Sequence, residues 1–259
     1  MKAALVRATL AAIALGASTS APGGGATAQP NPVVVLGAGD IAPVLAQYRK
    51  LIGEPNNNND PGPKTTGRRE INWDGIADDK AAPAFLPSDV FKARGAILTT
   101  PGKGIQASAA PGNAAGVAAN FGNLNPSYTK IFKPFSGGRL FSPIGSNIVD
   151  LTFVVPGTNT PATVRGFGAV YVDVDLPHTA FEYFDRRGKS LGRFSVPIAN
   201  EGFSFLGVVF DKPVVARVRI EYGSAALGPD DGPNNDVSVM DDFIYGEPQA
   251  AGAWKPKRK

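Results

Sequence analysis

Apolar and polar residues alternate in short runs over most of the chain, and turn residues such as Pro156-Gly157 and Arg187-Gly188 separate the runs. Closely spaced runs with period two, without helical patterns between them, predict an antiparallel β-sandwich or jelly roll. The predicted strands cover residues 69–73, 96–100, 139–141, 148–155, 164–174, 180–185, 190–196, 203–210, 214–222 and 237–245.

One helical pattern precedes these runs. Apolar residues recur at helical spacing from Ile41 to Ile52, with Asp40 as a candidate N-cap and Gly53 as a stop. We therefore expect an all-β fold, an antiparallel, jelly-roll-like β-sandwich with one short N-terminal helix that docks on the sandwich or caps an open end. Residues 100–126 are rich in Gly, Ala and Asn, which predicts a long, mobile loop.

The N-terminus has the residue order of a secretory signal peptide. Lys2 and Arg7 precede an apolar stretch, and small residues follow up to Ala28, the predicted cleavage point. The apolar stretch is shorter than the roughly 20 residues that span a membrane, and no later segment approaches that length. We expect a secreted protein, extracellular or periplasmic, with a signal peptide (1–28), a leader and helix (29–53), a β-sandwich domain (54–248) and a basic tail (249–259).

Charge and cysteine content exclude several classes of function. The chain has 26 basic and 22 acidic residues, but two of the basic residues lie in the predicted signal and four in the tail. Because the domain between them is nearly balanced, it has no long-range field that gathers phosphates, and nucleic-acid binding is not expected. The absence of cysteine excludes disulfides, thiolate catalysis and Cys-based zinc sites, and a single histidine, His178, cannot build a His-rich metal centre.

Two adjacent carboxylates, Asp241 and Asp242, interrupt the last apolar run. Side chains alternate along a strand, so we expect these two to point to opposite faces, both of them apolar. Under that expectation Val237, Val239, Phe243 and Tyr245 share the face of Asp241, and Met240 and Ile244 share that of Asp242. A buried carboxylate needs a metal, a cation or several donors. We predict Asp241 and Asp242 as calcium ligands. The alternative partners are loop amides or an arginine such as Arg68, Arg69, Arg217 or Arg219.

A second acidic pattern lies in the run 166–175, where Asp173 and Asp175 stand two residues apart, roughly 7 Å on a regular strand. In regular alternation both share a face with Tyr171, whereas Val174 points the other way. Such a pair can coordinate calcium, bond sugar hydroxyls or face water. Asp74 and the loop 228–236 offer further oxygens, but the loop does not have EF-hand spacing.

Aromatic side chains decide whether carbohydrate stacking is plausible. Trp73 shares a strand face with Ile71, a pattern that is also typical of a core position. We predict Trp73, Tyr171, Asp173 and Asp175 as ligand-binding residues, with a polysaccharide or an envelope component as the partner.

Several stretches resemble known proteins. Residues 67–75, 166–175 and 239–246 resemble a group of uncharacterised bacterial secreted proteins, and residues 182–191 and 205–210 resemble the central hairpins of sandwich domains in PEP-CTERM proteins. The closing Asp-Asp-Phe-Ile-Tyr run is similar to the last strand of carbohydrate-binding and galactose-binding-like modules. This resemblance implies a jelly-roll-like sandwich and a structural calcium at Asp241 or Asp242.

The sequence leaves three functions open. The leading interpretation is a secreted, non-catalytic β-sandwich that binds a glycan or an envelope component and is stabilised by calcium. A structural or adhesive envelope protein without a small ligand is the second. An exported hydrolase that uses a carboxylate pair is the third and least favoured, because folds do not imply functions and no motif marks a catalytic pair.

Overall fold

A computed structural model describes residues 31–251. The predicted signal peptide and residues 252–259 of the predicted tail lie outside that range. None of the helices in residues 31–251 has the length and apolarity needed to cross a bilayer.

Short strands dominate the described chain. The elements are β1 (Val33–Ala38), α1 (Ala42–Ile52), β2 (Arg68–Ile71), β3 (Ala96–Thr99), β4 (Gly104–Ala107), α2 (Tyr128–Ile131), β5 (Phe141–Ile144), β6 (Ile148–Phe153), β7 (Ala162–Thr163), β8 (Gly166–Val174), β9 (Ala180–Phe184), β10 (Ser190–Ser195), β11 (Ala199–Val209), β12 (Arg217–Glu221), β13 (Val239–Gly246) and β14 (Gln249–Ala250), with two single-turn 3₁₀ helices at Asp78–Lys80 and Lys92–Arg94. Each predicted strand overlaps an observed one.

The strands form two antiparallel sheets that pack as a sandwich. The larger, seven-stranded sheet has the order β1-β11-β8-β13-β5-β4, and β2 also pairs with β13. The smaller sheet has the order β10-β9-β12-β6-β3, and β14 pairs with β7 in a separate ribbon. The predicted all-β sandwich with one N-terminal helix is therefore confirmed.

Aromatic rings fill the space between the two sheets. The Trp73 ring stacks on Phe141 with ring centroids 3.9 Å apart, and Phe243 meets it edge-on at 5.0 Å. The Trp73 indole Nε1 also donates a hydrogen bond of 2.8 Å to the carbonyl oxygen of Asp241. Full burial of a large apolar side chain stabilises a fold by about 1.5–3 kcal/mol, so this group supplies a large share of the core energy.

Helix α1 covers the outer face of the larger sheet. Its buried side chains Val44, Leu45, Tyr48 and Ile52 pack on that face. Strand β1 pairs with β11 along its whole length, so the predicted leader contributes an edge strand to the sandwich rather than a separate segment. At the other end β14 extends two residues past the predicted domain boundary at 248.

Tyr48 can lie flat against the sheet because two glycines face it. A Cβ atom placed on Gly207 overlaps the Tyr48 ring, and one on Gly168 comes within 2.9 Å of it. We expect Gly207→Ala to lower the free energy of unfolding by about 1–3 kcal/mol, the usual cost of overpacking. Urea denaturation measures this, with Gly75→Ala as the control because its Cβ meets nothing within 4 Å. Equal losses in both variants would contradict the close approach.

The rest of the outer face is covered by the segment between β4 and β5. Phe121, Tyr128 and Phe132 are fully buried there against Val237 and Val239. The expectation of a mobile loop over residues 100–126 is therefore wrong in part. Strand β4 lies inside that range and pairs with β5, and Phe121 anchors the remainder. Because both faces of the larger sheet are covered, β8 and β13 are buried along their whole length.

Candidate metal site

Strand β8 loses its regular alternation at Asp173. This residue has φ +65°, a left-handed backbone conformation that residues other than glycine rarely adopt. Tyr171 and Val174 both reach the core between the sheets, although regular alternation sends them to opposite faces. On the partner strand β11 the register shifts between Ala199 and Phe203, which marks a β-bulge opposite Asp173. The prediction that Tyr171 and Val174 lie on opposite faces of the strand is therefore wrong, because the left-handed backbone at Asp173 interrupts the alternation.

Three carboxylates meet where β8 ends. One oxygen each from Asp173, Asp175 and Asp231 can be chosen so that all three lie within 4.8 Å of one another. Asp231 lies in the loop between β12 and β13, and its Oδ1 accepts a hydrogen bond of 3.2 Å from the Val237 amide. The same loop is tied to the end of β8 by Asp236, whose carboxylate accepts the Leu176 amide at 2.9 Å.

Two oxygens of this cluster have no protein partner. Asp173 Oδ1 accepts the Glu201 amide of the bulge at 2.7 Å, but its Oδ2 is buried and unpaired. Asp175 Oδ2 accepts the side-chain amide of Asn200 at 2.9 Å, but its Oδ1 is also buried and unpaired. A buried carboxylate oxygen without a donor or a cation is unfavourable, so this cluster needs either a proton, which Asp231 and Asp175 are placed to share in a hydrogen bond, or a bound cation.

The electrostatics of the cluster point in the same direction. Burial, together with the charges of Asp231, Asp175 and Asp236, raises the pKa of Asp173 to about 7 against the opposing hydrogen bond from the Glu201 amide. Burial likewise raises the pKa of Asp231 to about 6, and that of Asp236 is raised for the same reason. The neighbouring charges that act on Asp173 are all carboxylates. The group Asp173, Asp175 and Asp231 could therefore hold a metal ion, which would supply the positive charge. An oxygen-only donor set suits a hard cation rather than zinc.

Asp241 and Asp242 lie elsewhere and are arranged differently from the prediction. The register of β13 against β8 shifts between Met240 and Phe243, and both of these residues reach the core between the sheets. The expectation that the two aspartates point to opposite faces is therefore wrong, because the bulge turns both towards Ser136. The Ser136 hydroxyl lies 2.7 Å from Asp242 Oδ1 and 3.3 Å from Asp241 Oδ1.

Protein groups satisfy this second pair. The amides of Phe135 and Ser136 donate to Asp241 Oδ2 at 2.6 and 3.0 Å, and Arg49 Nη2 lies 3.8 Å from Asp242 Oδ2. Burial, reinforced by the charge of Asp242, raises the pKa of Asp241 to about 8, and burial also raises the pKa of Asp242. The two therefore share a proton at neutral pH.

Loop amides are the partners of Asp241, as one alternative from the sequence had it, and the arginine beside Asp242 is Arg49 rather than one of the four predicted candidates. Arg68 pairs with Glu70, Arg69 with Glu247, and Arg217 and Arg219 with Asp150. Neither Asp241 nor Asp242 belongs to the group that could hold a metal ion. Asp74 is also outside that group, and its carboxylate accepts the Gly138 amide at 2.8 Å.

The predicted aromatic platforms are core residues. Trp73 is 1% exposed and Tyr171 is fully buried, with its hydroxyl donating to the Glu221 carbonyl at 3.0 Å. This corrects the expectation that either ring stacks on a ligand, because neither has a face open to solvent. The six tyrosines of the chain are all buried. The shared face of Trp73 and Ile71 was the sequence signal for this outcome.

The sequence pattern pairs Asp173 with Asp175, but it does not distinguish Asp231 or the bulge residues from their neighbours. Asp231 was only one of several oxygens in the loop 228–236, and nothing in that loop marks which carboxylate returns to β8. Nothing in the sequence marks Asn200 and Glu201 as site residues, because Asn200-Glu201-Gly202 is typical of an ordinary turn. Comparisons of this chain with protein families, with curated proteins and with solved structures give no match.

Proposed function

We propose that this protein is an exported, non-catalytic β-sandwich whose fold is completed by a calcium ion and which acts as a structural or adhesive component of the cell envelope. The observation that carries the proposal is the pair of buried, unpaired oxygens on Asp173 and Asp175 within a cluster of three carboxylates. Export rests on the residue order of the N-terminus.

Calcium is the cation that fits best. It takes six to eight oxygen ligands from carboxylates, carbonyls and water, in flexible geometry. Asp231 and Asp175 are only partly buried, so water can complete the coordination shell. The ion would connect the end of β8 to the loop before β13, which are distant in sequence. Its role is therefore to stabilise loops at one end of the sandwich.

Two observations favour a non-catalytic role. Asp173 is 1% exposed, so a substrate cannot reach the carboxylate that a hydrolase would need. Among residues 31–251, Trp73 and every tyrosine are buried, so no Trp or Tyr ring there presents the stacking surface that a typical glycan-binding module uses. A structural or adhesive protein needs neither feature.

Thermal unfolding with calcium and with a chelator tests the metal. A ligand that binds only the folded state stabilises it by about 2.7 kcal/mol at a hundredfold excess over Kd. For a domain of this size the expected rise in Tm is roughly 5–10 °C. Asp231→Asn should abolish the rise, whereas Asp230→Asn, the same charge change at the exposed neighbouring residue, should keep it. Identical melting curves for the native protein in calcium and in chelator would contradict the proposal.

A second test compares the Tm of Asp173→Asn with that of the native protein in chelator. The amide keeps an acceptor for Glu201 and removes a buried charge that faces other carboxylates. We expect this variant to have a higher Tm than the native protein in chelator, and we expect its Tm not to change when calcium is added. A lower Tm in chelator would instead mean that the charge is satisfied without a metal.

A further inference from the structure

A pocket of about 450 Å³ lies at the C-terminal end of α1, away from the carboxylate cluster. Small-molecule sites usually have volumes of about 300–1,000 Å³, so this one is large enough for a ligand of one or two sugar rings. Ile52 and Pro213 provide apolar wall, and Thr65, Thr66 and Gln249 provide polar groups around it.

Arg165 is the unusual member of the pocket lining. Its Nε is buried and has no hydrogen-bond partner. None of the ion pairs formed within residues 31–251 includes its guanidinium. A buried donor on a charged group that lacks an acceptor costs more than a neutral one, so the protein leaves the Arg165 guanidinium short of an acceptor.

The structure makes room for this arginine. A Cβ atom on Gly246 of β13 would lie 2.9 Å from Arg165 Cγ, so a larger residue there would displace the side chain. The Arg165 backbone is held at the same time, because its carbonyl accepts the Phe210 amide at 2.7 Å. The sheet therefore fixes the Arg165 backbone and leaves space for the first part of its side chain.

The acids that line the pocket are already neutralised. Glu247 receives two bonds, of 2.8 and 2.9 Å, from the fully buried Arg69. Glu54 pairs with Arg68, which also pairs with Glu70, and Glu70 has Arg49 as a second cation. Arg165 is left as the unbalanced charge of the pocket. The local field is therefore positive and favours an anion.

We infer that this pocket binds a small carboxylate of the size of one sugar acid, with the carboxylate on Arg165. A planar guanidinium pairs with a carboxylate through two parallel hydrogen bonds. The hydroxyls of Thr65 and Thr66 lie around the pocket, where they can bond the hydroxyls of a hexuronate, and the side-chain oxygen of Gln249 can accept from one, while its Nε2 donates to the Lys64 carbonyl at 2.8 Å. This binding does not depend on the proposed calcium site, which shares no residue with the pocket.

Calorimetric titration of the purified protein with glucuronate and galacturonate tests the inference. Glucose, galactose and sulfate serve as comparison ligands under the same conditions. We expect saturable binding of at least one uronate and none of the neutral sugars. Equal binding of uronate and its neutral sugar, equal binding of sulfate, or no binding of either uronate would overturn it.

Variants locate the binding. Arg165→Gln should weaken uronate binding by roughly tenfold or more, since a charge-assisted hydrogen-bonded pair is lost. Lys50→Gln, an equal charge change at an exposed residue of α1 outside the pocket, should leave it unchanged. Thr66→Val, at an exposed residue, gives a second variant that should weaken binding without disturbing the fold. Unchanged affinity in both Arg165→Gln and Thr66→Val would place the ligand elsewhere.

Discussion

Replacing Arg69 by methionine should lower the free energy of unfolding by about 3–5 kcal/mol, the cost of removing one member of a buried ion pair. Arg69 is fully buried, and all five of its N–H groups donate hydrogen bonds. Two go to the carboxylate of Glu247 and three to the carbonyls of Asn58, Asp60 and Gly62. The variant would leave Glu247 buried without its counter-charge and would release the loop from β2.

Urea denaturation at neutral pH measures this loss. Arg193→Met is the matched control, because Arg193 also pairs with a glutamate, Glu221, but its side chain is 44% exposed. Exposed pairs contribute about 0.2–1 kcal/mol, so the control should lose little. The double variant Arg69→Met with Glu247→Leu should recover part of the stability, since an apolar pair leaves no buried charge. A loss below 1 kcal/mol in Arg69→Met would contradict the importance of the pair.

Replacing Asp241 by asparagine should stabilise the protein at alkaline pH. Burial and the charge of Asp242 raise the pKa of Asp241 to about 8, whereas an unfolded aspartate titrates near 4. Between about pH 4 and pH 8 the folded protein therefore retains a proton that the unfolded chain has released. Stability falls as pH rises through this window, because unfolding releases that proton and release becomes more favourable at higher pH; above about pH 8 the folded state is ionised as well and the loss is complete. Asparagine keeps an acceptor for the Phe135 and Ser136 amides but never ionises.

The measurement is the difference in unfolding free energy between Asp241→Asn and the native protein at pH 5, 7 and 9, in chelator. We expect a difference that grows with pH by a few kcal/mol, following the shift in pKa. Asp79→Asn, at an exposed residue, should show no such trend. Asp241→Ala should be destabilised at every pH, because the buried amides of Phe135 and Ser136 lose their acceptor. A difference that does not change with pH would mean that the pair does not share a proton.

The fold class could be predicted from the sequence because it depends on short-range patterns. Period-two alternation and turn residues located most of the strands from β2 onward, and the stripe from Ile41 to Ile52 located α1, but strand β1 in the predicted leader was missed. These signals reflect local backbone geometry, which neighbouring residues in the chain largely determine. Strand β4 lacked such a pattern. Its place in the sheet depends on pairing with β5, and a Gly- and Ala-rich run gives little sign of that.

Both acidic motifs were recognisable as candidate sites, but their geometry was not. A strand rule assigns Asp241 and Asp242 to opposite faces, and the bulge in β13 places both against Ser136. The left-handed backbone at Asp173 breaks the rule again. Bulges arise from how two strands are paired, which a single run of residues does not contain.

The sequence by itself determined that this chain folds as an antiparallel sandwich with an N-terminal helix and carries carboxylates in its central strands. Only the tertiary structure decided which carboxylates lack partners. Asp241 meets loop amides, whereas Asp173 and Asp175 meet Asp231 from a loop more than fifty residues away. The physical reason is that hydrogen bonds and burial come from contacts between distant segments, and those contacts set whether a buried charge is satisfied or requires a cation.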